Sequence, residues 1–256
     1  MSISKPPFGI KPNYAHPLMR GLIGWWLFNE GAGGQAYDSS LNRNTGTLTG
    51  MAFPSTAASG WGSGRNGAKG LSFDGVDDKI TTTSEFIGTG PITFSGWVYA
   101  RSFGGNSAGR IISNGRFDIY ITGANRIYFT SNAGTNIYAT PTNSFPFNQW
   151  IHIIATRDSS GISNVYFNGI LSGTANQSSG APVAGTFNPV IGNHNSLNRT
   201  WDGYIDDARI YNRALSAQEV QNLYTDPYGM FNSSKLVLSD LIGAPAVANG
   251  GFFQFM

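Results

Sequence analysis

The stretch GLIGWWLFNEGAGG, residues 21–34, decides the fold. A short apolar run closed by glycines is the pattern of a buried strand followed by a turn. Upstream, residues 1–20 mix prolines, glycine and polar residues with isolated apolar ones, so they read as an extended arm with no core of its own. Downstream, comparable runs recur between Gly, Asn and Ser: LSFDG at Phe73, KITTT at Ile80, ITFSGWVYA at Trp97, RIISN, RFDIYIT, RIYFTSN, WIHIIATRD, NVYFNGILSG, PVIGN and YIDDARIYN. They amount to about ten to fourteen short strands at the spacing of a β-sandwich. In WIHIIATRD, strand periodicity puts Trp150, His152, Ile154 and Thr156 on one face and Ile151, Ile153 and Ala155 on the other.

Composition agrees with an all-β chain. Of 256 residues 34 are glycine and only 12% are charged, which describes a turn-rich protein surfaced by Ser, Thr and Asn. The formal charge of +2 is scattered singly, with no basic stripe to neutralise phosphates, so nucleic acid is not expected as a partner. Cysteine is absent, which removes disulfides, thiolate nucleophiles and cysteine-based zinc sites together. No apolar stretch near the N-terminus is long enough for a secretory signal or a membrane span. One helix is expected in ALSAQEVQNLYTDP, where Ser216 and Glu219 form a capping box, Val220, Leu223 and Tyr224 share a face, and Pro227 is the stop. The organisation is then an arm at 1–20, a sandwich at 21–227 and a tail at 228–256, whose ending Phe252, Phe253, Phe255, Met256 is too apolar for a solvated end.

Three stretches in fixed order, residues 24–50 (GWWLFNEGAGGQAYDSSLNRNTGTLTG), 67–80 (GAKGLSFDGVDDKI) and 203–224 (GYIDDARIYNRALSAQEVQNLY), resemble the laminin-G-like family in its concanavalin-A-like jelly-roll form. Residues 93–100 and 149–171 resemble the same family's central strands. The resemblance implies a jelly-roll sandwich of two antiparallel sheets with one short C-terminal helix. The arm and apolar tail around one domain are also similar in architecture to laminin-G-like proteins of tailed bacteriophages. That fold hosts lectins, adhesins, hydrolases and virion proteins alike, so it does not choose a function.

The loop from Asp38 to Gly46 concentrates side-chain and main-chain oxygens suited to a hard cation. In the related family such a loop and an acid of the late Ile-Asp-Asp motif hold a structural calcium ion, which carried over implies Asp38, Asn42, Asn44 and Asp206 or Asp207. The alternative is that Asp38 and the asparagines cap turns, with Asp206 or Asp207 paired to Arg209 or Arg213. For Asp74, Asp77 and Asp78 in FDGVDD, turn chemistry is the expectation.

Catalysis is not expected. Glu30, Glu85 and Glu219 are the only glutamates, and no acidic residues alternate along a strand as paired-carboxylate hydrolysis would need. Asp206 and Asp207, adjacent in a strand, are expected on opposite faces. The loop Asn193, His194, Asn195, Asn198, Arg199 and Trp201 has the composition of a sugar site, an aromatic ring beside amides, unless Trp201 packs inward. Taken together, the sequence reads as a non-catalytic structural or binding module. The leading expectation is a virion protein (capsid decoration, spike or tail-associated) located in the particle and held to neighbours or to itself by residues 1–20 and 228–256. The alternative is a calcium-dependent carbohydrate-binding lectin or adhesin, and a glycoside hydrolase comes third.

Overall fold

The computed structural model describes residues 4–130, 144–176, 182–196 and 198–231, with backbone alone at 137–138 and 175–176. Residues 232–256, and with them most of the apolar tail, lie outside the described residues, as does Leu197. Among the described residues sixteen strands occur: β1 (Leu22–Trp26), β2 (Gln35–Ala36), β3 (Gly46–Thr49), β4 (Gly60–Ser63), β5 (Lys69–Asp74), β6 (Lys79–Thr82), β7 (Ile92–Ala100), β8 (Arg110–Ser113), β9 (Asp118–Thr122), β10 (Arg126–Thr130), β11 (Ile137–Tyr138), β12 (Trp150–Arg157), β13 (Ile162–Phe167), β14 (Ile170–Asn176), β15 (Val190–Ile191) and β16 (Asp202–Tyr211). One α-helix, α1 (Ala217–Thr225), follows them.

Two eight-stranded antiparallel sheets result. One runs β14-β13-β12-β7-β16-β5-β4 with β1 also paired to β16, and the other runs β11-β10-β9-β8-β15-β6-β3-β2. The expected sandwich is therefore present, with more strands than periodicity alone suggests. The apolar run at 165–171 is two strands, because Asn168 and Gly169 both take positive φ (52° and 79°) and make the two-residue turn that a twisted hairpin favours. Strands β2 and β4 escape a sequence reading because they are short and built of Gly, Ser, Gln and Ala beside a lone tryptophan.

The main core fills the space between the sheets. Alternation sends Phe94 and Val98 of β7, Ile151, Ile153 and Ala155 of β12 and Ile205, Ala208 and Ile210 of β16 into it, all buried. Each of the Phe, Val and Ile side chains contributes about 1.5–3 kcal/mol by leaving water, the alanines less. Strand β7 is nevertheless buried on both faces, and so is β12, because the outer face of the first sheet carries a second core. Leu18, Trp25, Ile154, Tyr211, Val220, Leu223 and Met230 pack there, supplied by the arm, the sheet, α1 and the residues after it.

Helix α1 begins as expected. Ser216 accepts from the Glu219 amide, Glu219 answers the Ser216 amide, and Val220 and Leu223 are fully buried. Arg213 holds the Glu219 carboxylate through two bonds of 2.8 and 2.7 Å, which keeps its pKa below the usual glutamate value. The arm lies against its own sandwich. Asn13 N–H donates to the Met230 carbonyl at 2.7 Å, the Asn29 amide donates to the Pro6 carbonyl at 2.9 Å, and Leu18 is in the second core. Among the described residues no helix is long and apolar enough to cross a membrane.

Candidate functional site

Strand β16 departs from regular pairing where the sequence reads IDDAR. Against β7, Asp206 pairs with Trp97 and Arg209 with Ser95, so three steps on β16 match two on β7. The extra residue is Asp207, at φ 53°. Such a bulge turns two successive side chains to one side. Asp206 and Asp207 therefore both leave the main core and enter the outer face, which corrects the opposite-face expectation drawn from regular alternation.

Both acids are buried, and each has its own cation. Asp207 accepts from Arg209 at 3.0 and 2.7 Å and from the Trp25 indole at 2.7 Å, and the guanidinium lies 4.4 Å over the Trp25 ring. Asp206 faces the Lys5 ammonium across 201 residues of sequence. Burial pushes the Asp206 carboxyl up from its ordinary pKa, and Lys5 pulls it back.

Of the residues expected to hold calcium, Asp38, Asn42 and Asn44 gather around Ile23, and their polar atoms are engaged with one another and with the chain. Asp38 sits in the other half of that expected ligand set with its carboxylate already filled. Its Oδ1 accepts the amides of Trp25 and Ser40, both at 2.8 Å, and its Oδ2 accepts the Ser40 hydroxyl at 2.8 Å and the Asn44 amide at 2.7 Å. Asn42 and Asn44 both donate to the Ile23 carbonyl, and the Asn44 oxygen accepts from Ser84. Four donors occupy the lone pairs of Asp38, and Asp206 and Asp207 are neutralised by Lys5 and Arg209, so this donor set does not fit a calcium ion. Among the described residues the acids that do converge are Asp74, Asp77 and Asp78, within 4.8 Å of one another. Asp78 is buried there, accepts from Ser59 and the Asp74 amide, and has its pKa pushed up to about 6, chiefly by burial. Asp74 accepts the Val76 amide, the turn bond expected of it.

The loop expected to bind sugar is divided by burial. Trp201 is fully buried in the main core and Asn193 is fully buried against Thr200 and the Asp78 carbonyl, so neither can meet a ligand. Asn195 and Asn198 are exposed, His194 and Arg199 are half-buried, and His194 packs on Phe187 with its pKa lowered by burial. Without Trp201 this loop offers amides and no stacking face.

A stacking face exists elsewhere. Residues 8–14 of the arm and the segment 37–43 enclose a groove of about 340 Å³. Phe8 (56% exposed) and Tyr37 (50% exposed) stand at its mouth with ring centroids 5.7 Å apart, and Tyr14 and Leu41 are exposed along it. Glu30 lines the same groove. Its Oε1 accepts the Tyr37 amide at 2.7 Å, while Oε2 is buried with no partner, and burial raises its pKa. Sequence reading missed this groove because it assigned the arm to other molecules. The signal was Phe8 and Tyr14, two aromatics in a proline-rich segment unable to bury them. Asp38 also lines the groove, with its carboxylate accepting four hydrogen bonds.

A family model described as Concanavalin A-like lectin/glucanases superfamily matches residues 74–221, more than half of the chain. The chain belongs to the concanavalin A-like superfamily. No curated protein matches it in sequence. Among solved structures it is similar to domain 4 of AbnA, an extracellular GH43 arabinanase from Geobacillus stearothermophilus, in complex with arabinotriose, at 19% identity and TM-score 0.61, covering 79% of this chain and 98% of that domain. It is also similar to the binding domain of Paraclostridial Mosquitocidal Protein 1 (16% identity, TM-score 0.59, 81% of this chain and 52% of that one). The receptor-binding domain of botulinum neurotoxin type G follows at 20% identity and TM-score 0.55, with 80% of this chain and 51% of that one covered. The chain spans about half of each toxin domain. At these identities the likeness is one of fold alone.

The buried His152, packed against Tyr224 of α1, is expected to make this superfamily member sensitive to acid. His152 is fully enclosed, its ring stacked 4.8 Å from Trp97 and its Nε2 2.9 Å from the Ser95 hydroxyl. Burial first, then the Arg209 and Arg65 cations, hold its pKa well below 6.5. The unfolded chain therefore takes the proton first, and the stability His152 confers at neutral pH is lost as pH falls below 6.5. Asp78, with its raised pKa, acts oppositely between about 6 and its ordinary value of 3.8. The histidine contribution is isolated by comparing wild type with His152→Gln in denaturant titrations. From pH 7.5 to 5.5 the wild type is expected to lose about 1.4 kcal/mol more than the variant. Equal losses would show that His152 titrates normally.

Proposed function

We propose that the chain is a non-catalytic carbohydrate-binding domain, and that the groove between its arm and residues 37–43 is the glycan site. The observation that carries this reading is the exposed Phe8 and Tyr37 ring pair lining an open groove. Sugar rings present an apolar face that stacks on aromatics and hydroxyls that bond to polar groups, and the groove lining offers the ring pair together with the exposed Lys11 and Arg43 side chains. The likeness to an arabinanase domain solved with arabinotriose supports the reading by fold and supplies a first probe.

The test is calorimetric titration with arabinotriose and a panel of neutral and acidic oligosaccharides. For a ligand that binds, Phe8→Ala and Tyr37→Ala are each expected to weaken affinity by about 5- to 30-fold, or roughly 1–2 kcal/mol. Both side chains are half exposed, so the midpoint of unfolding should stay near wild type. Affinity unchanged in both variants would remove the groove from the binding site. Binding is expected to survive EDTA, because Asp38 has its lone pairs filled and Glu30 offers one unpartnered, buried oxygen, too few ligands for a divalent ion.

The assembly reading rested on two adhesive ends. The described part of the arm is bound to its own sandwich, and most of residues 228–256 lies outside the described residues, so the glycan reading is preferred to assembly through the two ends.

A further inference from the structure

The Lys5 ammonium meets three oxygens: a carboxylate oxygen of Asp206, the Lys69 carbonyl at 2.6 Å and the Phe28 carbonyl at 3.4 Å. The two charged side chains are 4% and 1% exposed. These oxygens come from β5, β16 and the residues just after β1, so the site exists only when distant strands are paired. Two glycines let the walls close. A Cβ at Gly64 would stand 2.9 Å from Asp206 Oδ2 and 2.7 Å from the Lys69 carbonyl, and one at Gly70 would stand 2.8 Å from the Gly64 Cα.

One carboxylate and two carbonyls are oxygens of the kind a cation takes, though too few to fill a calcium ion's shell. The cage has a single negative charge to balance, because Arg209 neutralises Asp207 alongside it. We propose that the Lys5 ammonium is the resident cation of this cage, a covalently tethered replacement for a bound ion that both neutralises Asp206 and fastens the arm. A divalent ion added to the same place would bring an uncompensated charge into a buried site. A cavity of about 320 Å³, lined by Ser4, Lys5, Arg65, Gly67 and Tyr228, adjoins the ammonium and gives a small cation from solvent a way in once the lysine side chain is shortened. The inference stands apart from the glycan reading, since its measurement is stability alone.

The experiment uses the full chain, with thermal unfolding at constant ionic strength set by choline chloride. Wild type is expected to keep its Tm in EDTA and in calcium chloride. Lys5→Ala should lower Tm by roughly 6–20 °C, the loss that leaving a buried carboxylate unpaired implies for a chain of this size. Replacing choline by ammonium or methylammonium should restore a measurable part of that loss, and calcium should not. A Tm within 2 °C of wild type, no recovery in ammonium, or recovery in calcium overturns the proposal. Should Lys5→Ala fail to fold, Lys5→Met combined with Asp206→Asn removes both charges at near-constant shape. The double variant is expected to melt above Lys5→Met alone, and a Tm no higher than that single variant overturns the proposal too.

Discussion

Asp207→Ala is expected to destabilise the domain by about 3–5 kcal/mol, enough to consume a large share of ordinary domain stability. Asp207 is 2% exposed and accepts both the Arg209 guanidinium and the Trp25 indole. Removing it strands a buried cation whose remaining partners are the Pro227 carbonyl and the Trp25 ring. The loss should be much smaller when Arg209→Met is added, since two apolar side chains leave no orphaned charge. Equilibrium denaturant unfolding of the two single variants and the double gives the coupling directly. An Asp207→Ala variant within 1 kcal/mol of wild type would mean that water reaches Arg209 and the outer face is not the closed core described above.

Trp201→Ala is the second large effect, about 3–5 kcal/mol. The indole is fully buried in the main core, and its N–H donates to the Tyr204 carbonyl at 3.2 Å. The loss should appear in stability with no ligand present. Glycan affinity of the fraction that remains folded is expected to match wild type, in contrast to Tyr37→Ala, which should lower affinity and leave stability alone. A stable Trp201→Ala protein that no longer binds sugar would return the ligand site to residues 193–201 and overturn the groove.

What could be read without coordinates followed the strength of local pattern. The capping box at Ser216 and Glu219, the face of α1, and the alternation of β12 are set by residues within a few positions of one another, and they stand as expected. The Asn168-Gly169 turn was equally local, yet the run from Asn164 to Gly173 reads as one apolar stretch unless that pair is given priority. The acids of β16 were harder. A one-residue bulge reverses the facing of everything on one side of it, and nothing in the string Ile-Asp-Asp-Ala-Arg marks which residue is extra. The identity of each acid's partner depended on contacts that sequence distance hides: Lys5 for Asp206, and Trp25 with Arg209 for Asp207. Trp201 illustrates the same limit, because a tryptophan flanked by Asn, Arg and Thr looks displayed until the neighbouring strands are seen to fold it inward.

The pairing of β1 with β16 joins residues 22–26 to residues 208–211, and the contacts of Lys5 with Asp206 and of Asn13 with Met230 close the same span. During synthesis at about 5–20 residues per second, the first strand would wait roughly 10–40 s for its neighbour to be made. Through that interval Trp25 and Trp26 have no finished sheet to cover them. Folding in stages from the ribosome therefore cannot complete the first sheet: it stays open at its centre until β16 has emerged.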